Sequence, residues 1–391
     1  MSVYKAALVR YVSDLPPPFR TLPDALRSSS SPQALLAYSD DARHLPLAAT
    51  LALIPAVYVL GLVSGNVSWV DRIWTSWPVL CSSSVLAWVV VNDGGNAYGA
   101  CIPRLVVVLC LQAIWSVRLT CHTARRGLYE LNSEDYRYTQ VRRLLLPPLF
   151  QLIHLLVVAV AQPLLLFSLS LPVAALLQPV SLLPAHGLAI PFSTISWLLP
   201  ARFNVTPPDT PVLHAGDLVL TLAALLVLAI ERASDNAMYA FQSAKHVDMD
   251  AAAAAKAASA RNSLPQRTPS PVPVPLAFYP GFPTRGLHAY SRHPNFASEQ
   301  TFWVILGLFA VIGSGAVPEM LAPAFALSIL FCASTALTEW ITTRKYPVYR
   351  TYSRLVGQFL PQETMLKWLW TAVRGTWPTL EREVYGRGTR R

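Results

Sequence analysis

At 391 residues, 53% of them hydrophobic and only 13% charged, the chain carries too little charge to solvate a globule of its size, because soluble domains average about a quarter charged residues. A soluble enzyme is excluded. The net charge of +10 raises nucleic acid as a partner, but the cations gather in loops beside apolar runs, where Lys and Arg set membrane topology and meet lipid headgroups; no nucleic-acid partner is expected.

Residues 1–45 read as a flexible Pro/Ser-containing tail without the apolar core of a signal peptide. Residues 46–245 hold five expected spans. The runs 47–63 and 73–91 contain no Asp, Glu, Lys or Arg and have bilayer-span length. The runs 105–117 and 218–230 are shorter, with Arg104, Arg118, Asp217 and Glu231 placed to snorkel or sit at the interface. Between them, 144–201 is uncharged but interrupted by Pro163, Pro172, Pro179, Pro184, Pro191 and Pro200. One span over 147–169 is expected there, then a proline-broken segment that re-enters the membrane, lies on it or crosses once more.

Residues 246–280, with Ala251 to Ala255 and a Ser/Pro stretch, read as a disordered insertion. Residues 281–362 hold a polar segment, a hairpin of the uncharged runs 300–318 and 320–338 that turns at Gly313, Gly315 and Pro318, and the start of a basic tail that continues over 363–391. The expected fold is an all-α polytopic transmembrane bundle of seven spans, or eight if the proline-broken segment crosses. Seven spans put the basic loop 122–146, the insertion and the C-terminus in the cytosol. On that scheme the sequon at Asn66 is cytosolic and the sequon at Asn204 lumenal. The five cysteines, Cys81, Cys101, Cys110, Cys121 and Cys332, form no CxxC pair, so they read as small buried residues and no metal is expected.

Four groups of residues are candidates for chemistry. Arg292, His293, Asn295 and Glu299 surround Pro294, which is suited to the first turn of the following helix. A helix start beside an arginine attracts an anionic phosphate. Glu231, Asp235 and Asn236 end the preceding span, where two acids one turn apart need compensating cations or a ligand. Glu130, Glu134, Asp135, Tyr136, Arg137 and Tyr138 form a third group, and Glu339, Arg344, Lys345, Tyr346, Tyr349 and Tyr352 a fourth. Singly, such aromatic and basic residues are common interfacial anchors; their placement on one expected membrane side is what points to a site.

These motifs, ordered over roughly residues 70–360, resemble the steroid 5-alpha-reductase C-terminal superfamily, in particular its polytopic membrane branch. The resemblance is carried by Asp71 with Trp74, by Glu134 through Tyr138, by Glu231, Ala233 and Asp235, by Ser291 through Asn295 with Glu299, and by Glu339 with Tyr346, Tyr349 and Tyr352. It implies a helical membrane fold that binds NADPH and reduces a conjugated double bond of a lipid-like or sterol-like substrate. It also implies phosphate contacts from Arg292, Arg344 and Lys345, and nicotinamide or ribose contacts from Glu231, Asp235 and Asn295, with Asn236, His293 and Glu299 as further cofactor-binding residues. Tyr290, Tyr349 and Tyr352 are then the candidates for positioning the ring or donating a proton.

The chain departs from the pattern at Phe296 and Ser298, where the family has a Tyr and a Gly, and at Asn236-Ala237. Two other readings follow. One is an S-adenosylmethionine-dependent membrane methyltransferase acting on isoprenylcysteine or phospholipid, which shares the RHP segment. The other is a scaffold that retains the fold without chemistry. A channel or transporter fits less well, since the ionisable residues gather at one face instead of the midplane. The expected location is the endoplasmic reticulum membrane, with the C-terminus cytosolic.

Overall fold

The computed structural model describes residues 41–92, 99–177, 189–198, 209–260, 276–314 and 318–386. Helices dominate. In chain order they are α1 (His44–Ser64), α2 (Trp69–Ile73), α3 (Trp77–Asn92), α4 (Ile102–Arg125), α5 (Tyr136–Leu144), α6 (Pro147–Ile153), α7 (Gln162–Ser168), α8 (Leu171–Ala175) and α9 (Phe192–Ile195). They continue with α10 (Ala215–Ala260), α11 (Pro294–Ser314), α12 (Ala322–Lys345), α13 (Tyr349–Leu355), α14 (Pro361–Val373) and α15 (Trp377–Tyr385). One small antiparallel pair, β1 (Ala189–Pro191) with β2 (Pro211–His214), sets Ile190 opposite Leu213.

Five stretches are long and apolar enough to cross a membrane: His44–Ser64, Ile102–Arg125, Pro147–Ala175, Pro294–Ile312 and Ala322–Lys345. The chain is therefore a multi-pass integral membrane protein. The other two expected spans take different forms. Trp77–Asn92 is apolar but has only 16 residues, and 218–230 is the apolar opening of the 46-residue helix α10, bracketed by Asp217, Glu231 and Arg232. The described part of 189–198 contains β1, α9 and a single 3₁₀ turn, with no helix long enough to cross.

The span Pro147–Ala175 shows how its prolines are absorbed. Residues His154–Ala161 form a π-helical stretch, and the Gln162 N–H bonds the carbonyl of Val157, five residues back. Pro163 follows at once and has no N–H to give the regular ladder, so the wider turns hand the chain into α7 without a break. Helix α1 runs close beside this stretch because Gly61 has no side chain there. A Cβ on Gly61 would collide with the His154 ring, which also packs on Tyr58 with centroids 4.9 Å apart. Gly65, at φ 67°, ends α1 in the left-handed conformation.

The chain divides into two compact units, Met1–Leu226 with Phe302–Ile329, and Val227–Thr301 with Leu330–Arg391. In the first, Trp115 meets Trp303 edge to face at 4.9 Å and stacks on Phe302, while Leu105, Leu166, Leu306 and Phe309 are fully enclosed. The same unit contains a buried ion pair. Arg104 Nε and Nη2 donate to Asp217 Oδ1 and Oδ2, each at 2.8 Å, with side chains only 3% and 4% exposed. In the second unit, Phe282, Tyr349, Tyr352, Leu355, Val356, Leu380 and Val384 form the core.

Leu380 and Val384 belong to α15, so the stretch from 363 to 386, read from its charge as a basic tail, is built of two packed helices. Helix α10 likewise continues to Ala260, into the stretch read as an insertion, because alanine is the best helix former. The Ser/Pro part of that insertion, 261–275, lies outside the described residues, as do most of the N-terminal tail, Gly315 and the sequon at Asn204. Asn66 is 7% exposed, and its Nδ2 donates to the carbonyls of Leu131 and Ser133 at 3.2 and 2.9 Å. That amide is a structural tie between the two segments. Among the cysteines, Cys81 and Cys101 are buried, whereas Cys110, Cys121 and Cys332 are exposed on the protein surface, against the expectation of burial.

The Arg104–Asp217 pair gives a direct test of the first unit. Asp217→Leu strands a buried guanidinium and should destabilise the detergent-solubilised protein by about 3–5 kcal/mol. Combining it with Arg104→Met should recover most of the lost melting temperature. A double variant no more stable than the single one would show that the pair is not coupled.

Candidate functional site

In the second unit one carboxylate gathers the residues that the sequence singles out. Glu339 lies near the end of α12 and takes both arms of Arg292, from Nε at 2.7 Å and from Nη2 at 3.1 Å. His293 Nε2 is 2.9 Å from Glu339 Oε1, and the Tyr349 hydroxyl donates to the same oxygen at 3.1 Å. Arg292 Nη1 donates to the carbonyls of Val356 and Ser353, at 2.5 and 3.3 Å. Four donors of its guanidinium are thus held inside the protein. Burial works against the Arg292 charge, but the bonds to Glu339 outweigh it and hold its pKa above the ordinary arginine value.

The backbone strengthens this junction. Arg292 N and His293 N donate to the carbonyls of Gly357 and Gln358 at 2.9 and 3.1 Å, which ties the start of α11 to the segment after α13. Pro294 opens α11, as its missing N–H favours. One residue further, Asn295 Nδ2 donates to Asp235 Oδ1 at 3.2 Å. Glu231 and Asp235 on α10 and Glu299 on α11 are all buried, at 1%, 5% and 6% exposure.

His288 is the second buried feature. It is 2% exposed, and its Nδ1 has no hydrogen-bond partner among the described residues. Burial, helped by the nearby His293 and opposed by Asp235, pushes its pKa down to about 4, so the ring is neutral at physiological pH. Its carbonyl accepts from the Tyr352 hydroxyl.

The three candidate tyrosines therefore differ. Tyr352 and Tyr349 are enclosed, and burial first of all raises both phenols above their ordinary pKa. Tyr290 is 51% exposed and flanked by the Trp368 ring at 5.7 Å. Asn236, Arg344 and Lys345 are also exposed. Arg344 lies over Trp340 at 3.9 Å and Lys345 over Tyr346 at 5.4 Å; among the described residues neither forms an ion pair. Among the described residues no group of three His, Cys, Asp or Glu side chains is arranged to hold a metal.

Sequence reasoning missed Lys245. It is buried at 3%, donates to the Gly281 carbonyl at 2.9 Å and lies 5.6 Å from the ring centres of both Phe241 and Tyr346. Burial lowers its pKa, with Tyr346 opposing. Its position beyond the apolar part of α10, against a boundary read as linker, hid it; a lysine fourteen residues after Glu231, about 40° from it around the helix, was the available signal.

The group around Asp135 is organised separately, in the first unit. Asp135 caps α5 by accepting from the Arg137 N–H at 2.9 Å and also pairs with the Arg137 guanidinium at 2.8 and 2.9 Å. Glu134 takes Arg142 in a fork at 2.8 and 3.0 Å and accepts from the Val67 N–H at 3.0 Å. Ser68 accepts from the Asp135 N–H at 3.0 Å, and Arg72 donates to the carbonyls of Glu130, Leu131 and Ser133. These bonds fasten the loop to the 66–72 segment. Asp71 retains some exposure as a residue, yet its Oδ2 is shielded and without a partner among the described residues, and Tyr138 reaches Oδ1 only at 3.5 Å.

The fold and the buried polar assembly define a multi-pass helical membrane protein whose second unit concentrates ionisable groups at helix ends. The chain belongs to the family described as "Protein of unknown function (DUF1295)", which it matches over residues 57–198 and 191–356. It is similar to "Uncharacterized protein C594.04c" of Schizosaccharomyces pombe (strain 972 / ATCC 24843), with 28% identity over 313 residues that cover 78% of each chain. No solved structure matches it.

Asp71 yields a pH-dependent prediction. Burial raises its carboxyl from 3.8 to about 6, against the pull of Arg137 and with a smaller push from Asp135. The folded protein thus holds this proton more tightly than the unfolded chain. The associated stability is complete below 3.8 and is lost as pH rises through about 6. Asp71→Asn removes the penalty, so its melting temperature should exceed that of the native protein above about pH 6, with the gap closing towards 3.8. A gap that stays constant with pH would contradict this.

Proposed function

We propose that the protein is a membrane-embedded reductase that uses NADPH to reduce a conjugated double bond in a lipid-like or sterol-like substrate. The observation that carries the reading is the assembly in the second unit, where Asp235 and Asn295 are hydrogen-bonded beside the Arg292–His293–Glu339–Tyr349 cluster. Sequence segments far apart in the chain meet there, and they are three of the five segments that carry the resemblance to steroid 5-alpha-reductases.

The residues present fit such a cofactor. Exposed Arg344 and Lys345 offer cationic donors suited to phosphates. The Asn295 amide and the Asp235 carboxylate suit a carboxamide or ribose hydroxyls, with exposed Asn236 adjoining on α10. The buried acids Glu231 and Glu299 set the charge around that pair. Arg292 and His293 position it: Glu339 and the 353–358 backbone already occupy most of their donors, so they hold the start of α11 in place.

When bound, the cofactor supplies hydride to one carbon of the polarised double bond. Tyr290, the accessible phenol of the three, donates the proton to the other carbon, while Tyr349 and Tyr352 act as positioning residues. The same proposal places the protein in the endoplasmic reticulum membrane, with its C-terminal residues on the cytosolic side.

Saturable binding of NADPH to the detergent-purified protein, run in parallel with S-adenosylmethionine, tests this reading. Asn295→Ala, Asp235→Ala and the pair Arg344→Ala with Lys345→Ala should each weaken NADPH affinity by about 10-fold or more, as expected for charge-assisted hydrogen bonds, while membrane insertion is retained. Binding of S-adenosylmethionine alone would move the protein to the membrane methyltransferases. Binding of neither by folded protein would make it a scaffold.

A further inference from the structure

Helix α14 is amphipathic in the opposite sense from a helix packed on a water-soluble body. Thr364, Lys367, Trp368 and Thr371 fall within an arc of about 100° at 3.6 residues per turn, and this largely polar arc faces the protein. The Thr364 hydroxyl donates to the Tyr290 carbonyl at 2.5 Å and accepts from the Gly357 N–H at 2.7 Å. Lys367 Nζ donates to the carbonyls of Ser353 and Val356 at 2.9 and 3.2 Å and pairs with Glu363 at 2.7 Å. Trp368 packs edge to face on Trp377 at 5.5 Å.

The opposite arc, about 140° wide, consists of Met365, Leu366, Leu369, Trp370 and Val373. Their exposure runs from 58% at Trp370 to 75% at Val373. Left in water, a contiguous apolar stripe of this kind is unfavourable and prone to association. The helix has 13 residues, roughly 20 Å at 1.5 Å per residue, too short to cross a hydrocarbon core of about 30 Å.

A cation borders the stripe. Arg374 at the end of the helix lies over the Trp370 ring at 4.4 Å, and Arg350 and Arg354 on α13 and Arg382 on α15 are exposed in the same unit. An apolar face with a tryptophan at its edge and an arginine over that ring, in a unit with further exposed arginines, has the chemistry of a segment lying in a bilayer interface, with anionic headgroups at the level of the cations.

The geometry points to α14 as an in-plane membrane anchor: its Met365–Leu366–Leu369–Trp370–Val373 face is sunk in the headgroup and upper acyl region of an anionic phospholipid leaflet, while its Thr/Lys/Trp face holds the second unit. This inference is independent of the cofactor reading. It concerns a helix that follows the last long apolar span, and it needs no ligand at Asp235 or Asn295.

The test uses the full chain with its native cysteines. An environment-sensitive fluorescent amino acid is placed at Leu366, at Leu369, or at exposed Thr379 on α15 as control, and each protein is reconstituted into vesicles of phosphatidylcholine with phosphatidylglycerol. The labels at 366 and 369 should emit at shorter wavelength than the control, be quenched by lipids brominated near the top of the acyl chain, and show several-fold weaker quenching by aqueous iodide. Iodide quenching equal to that at Thr379 would overturn the proposal, because the face would then stand in water. Shielding from both iodide and brominated lipid would also overturn it, and would assign the face to a protein partner such as a second copy of the chain.

Discussion

The Glu339 carboxylate is the contact on which the second unit is built. It joins a long apolar helix to the start of another through the Arg292 fork and His293, and to α13 through the Tyr349 hydroxyl. An acid at the end of an apolar helix is costly unless cations and hydrogen-bond donors surround it. Here it has all of them, and the consequences spread along the chain. Arg292, held by Glu339, grips the carbonyls of Ser353 and Val356. Lys367 on α14 donates to those same two carbonyls. The Thr364 hydroxyl then joins the Gly357 N–H to the Tyr290 carbonyl. One largely enclosed charge pair thus fixes the start of α11, the turn after α13 and the inner face of α14.

Apolar run length made the membrane class readable in the sequence, because nothing but a bilayer or a very large core accommodates stretches such as 320–338. Position relative to proline also read correctly at the start of α11, where Pro294 takes the first turn. Partners were not readable. Arg292 beside a helix start invites a phosphate, yet the carboxylate that claims its guanidinium lies 47 residues away on α12. The Glu134–Tyr138 motif reads as a ligand cluster, while in the structure Asp135 caps α5 and Glu134 binds Arg142 and the backbone of Val67. Charge counting also hid α14 and α15 inside a basic tail, because the outward side chains of α14 are apolar and its inward ones polar.

A division of labour follows from burial. Arg292, Glu339, Tyr349 and Tyr352 are committed to one another and to backbone carbonyls, so on the proposed reading their part is to position. Arg344, Lys345, Asn236 and Tyr290 are exposed and available to meet a ligand. The neutral, buried His288 ring, with its unpartnered Nδ1, lies between these sets in character: polar and enclosed, with capacity for one further hydrogen bond. Phe296 and Ser298, where the steroid 5-alpha-reductase pattern that the sequence resembles has a tyrosine and a glycine, follow closely on Asn295, whose amide joins α11 to Asp235. Phe296 there stacks on Phe331 at 4.9 Å and near-parallel to His293, so the ring retains a packing role without a hydroxyl.

The central claim is hydride transfer, and isotope tracing addresses it most directly. Purified protein would be incubated with NADPH deuterated at the transferring carbon and an extract of cellular lipids, and the lipids then analysed by mass spectrometry. The account predicts one lipid or sterol species that gains a single deuterium together with one unlabelled proton, and much less of it with Asn295→Ala at limiting NADPH. Absence of any deuterated lipid across extracts, in protein shown to be folded and to bind NADPH, would contradict it.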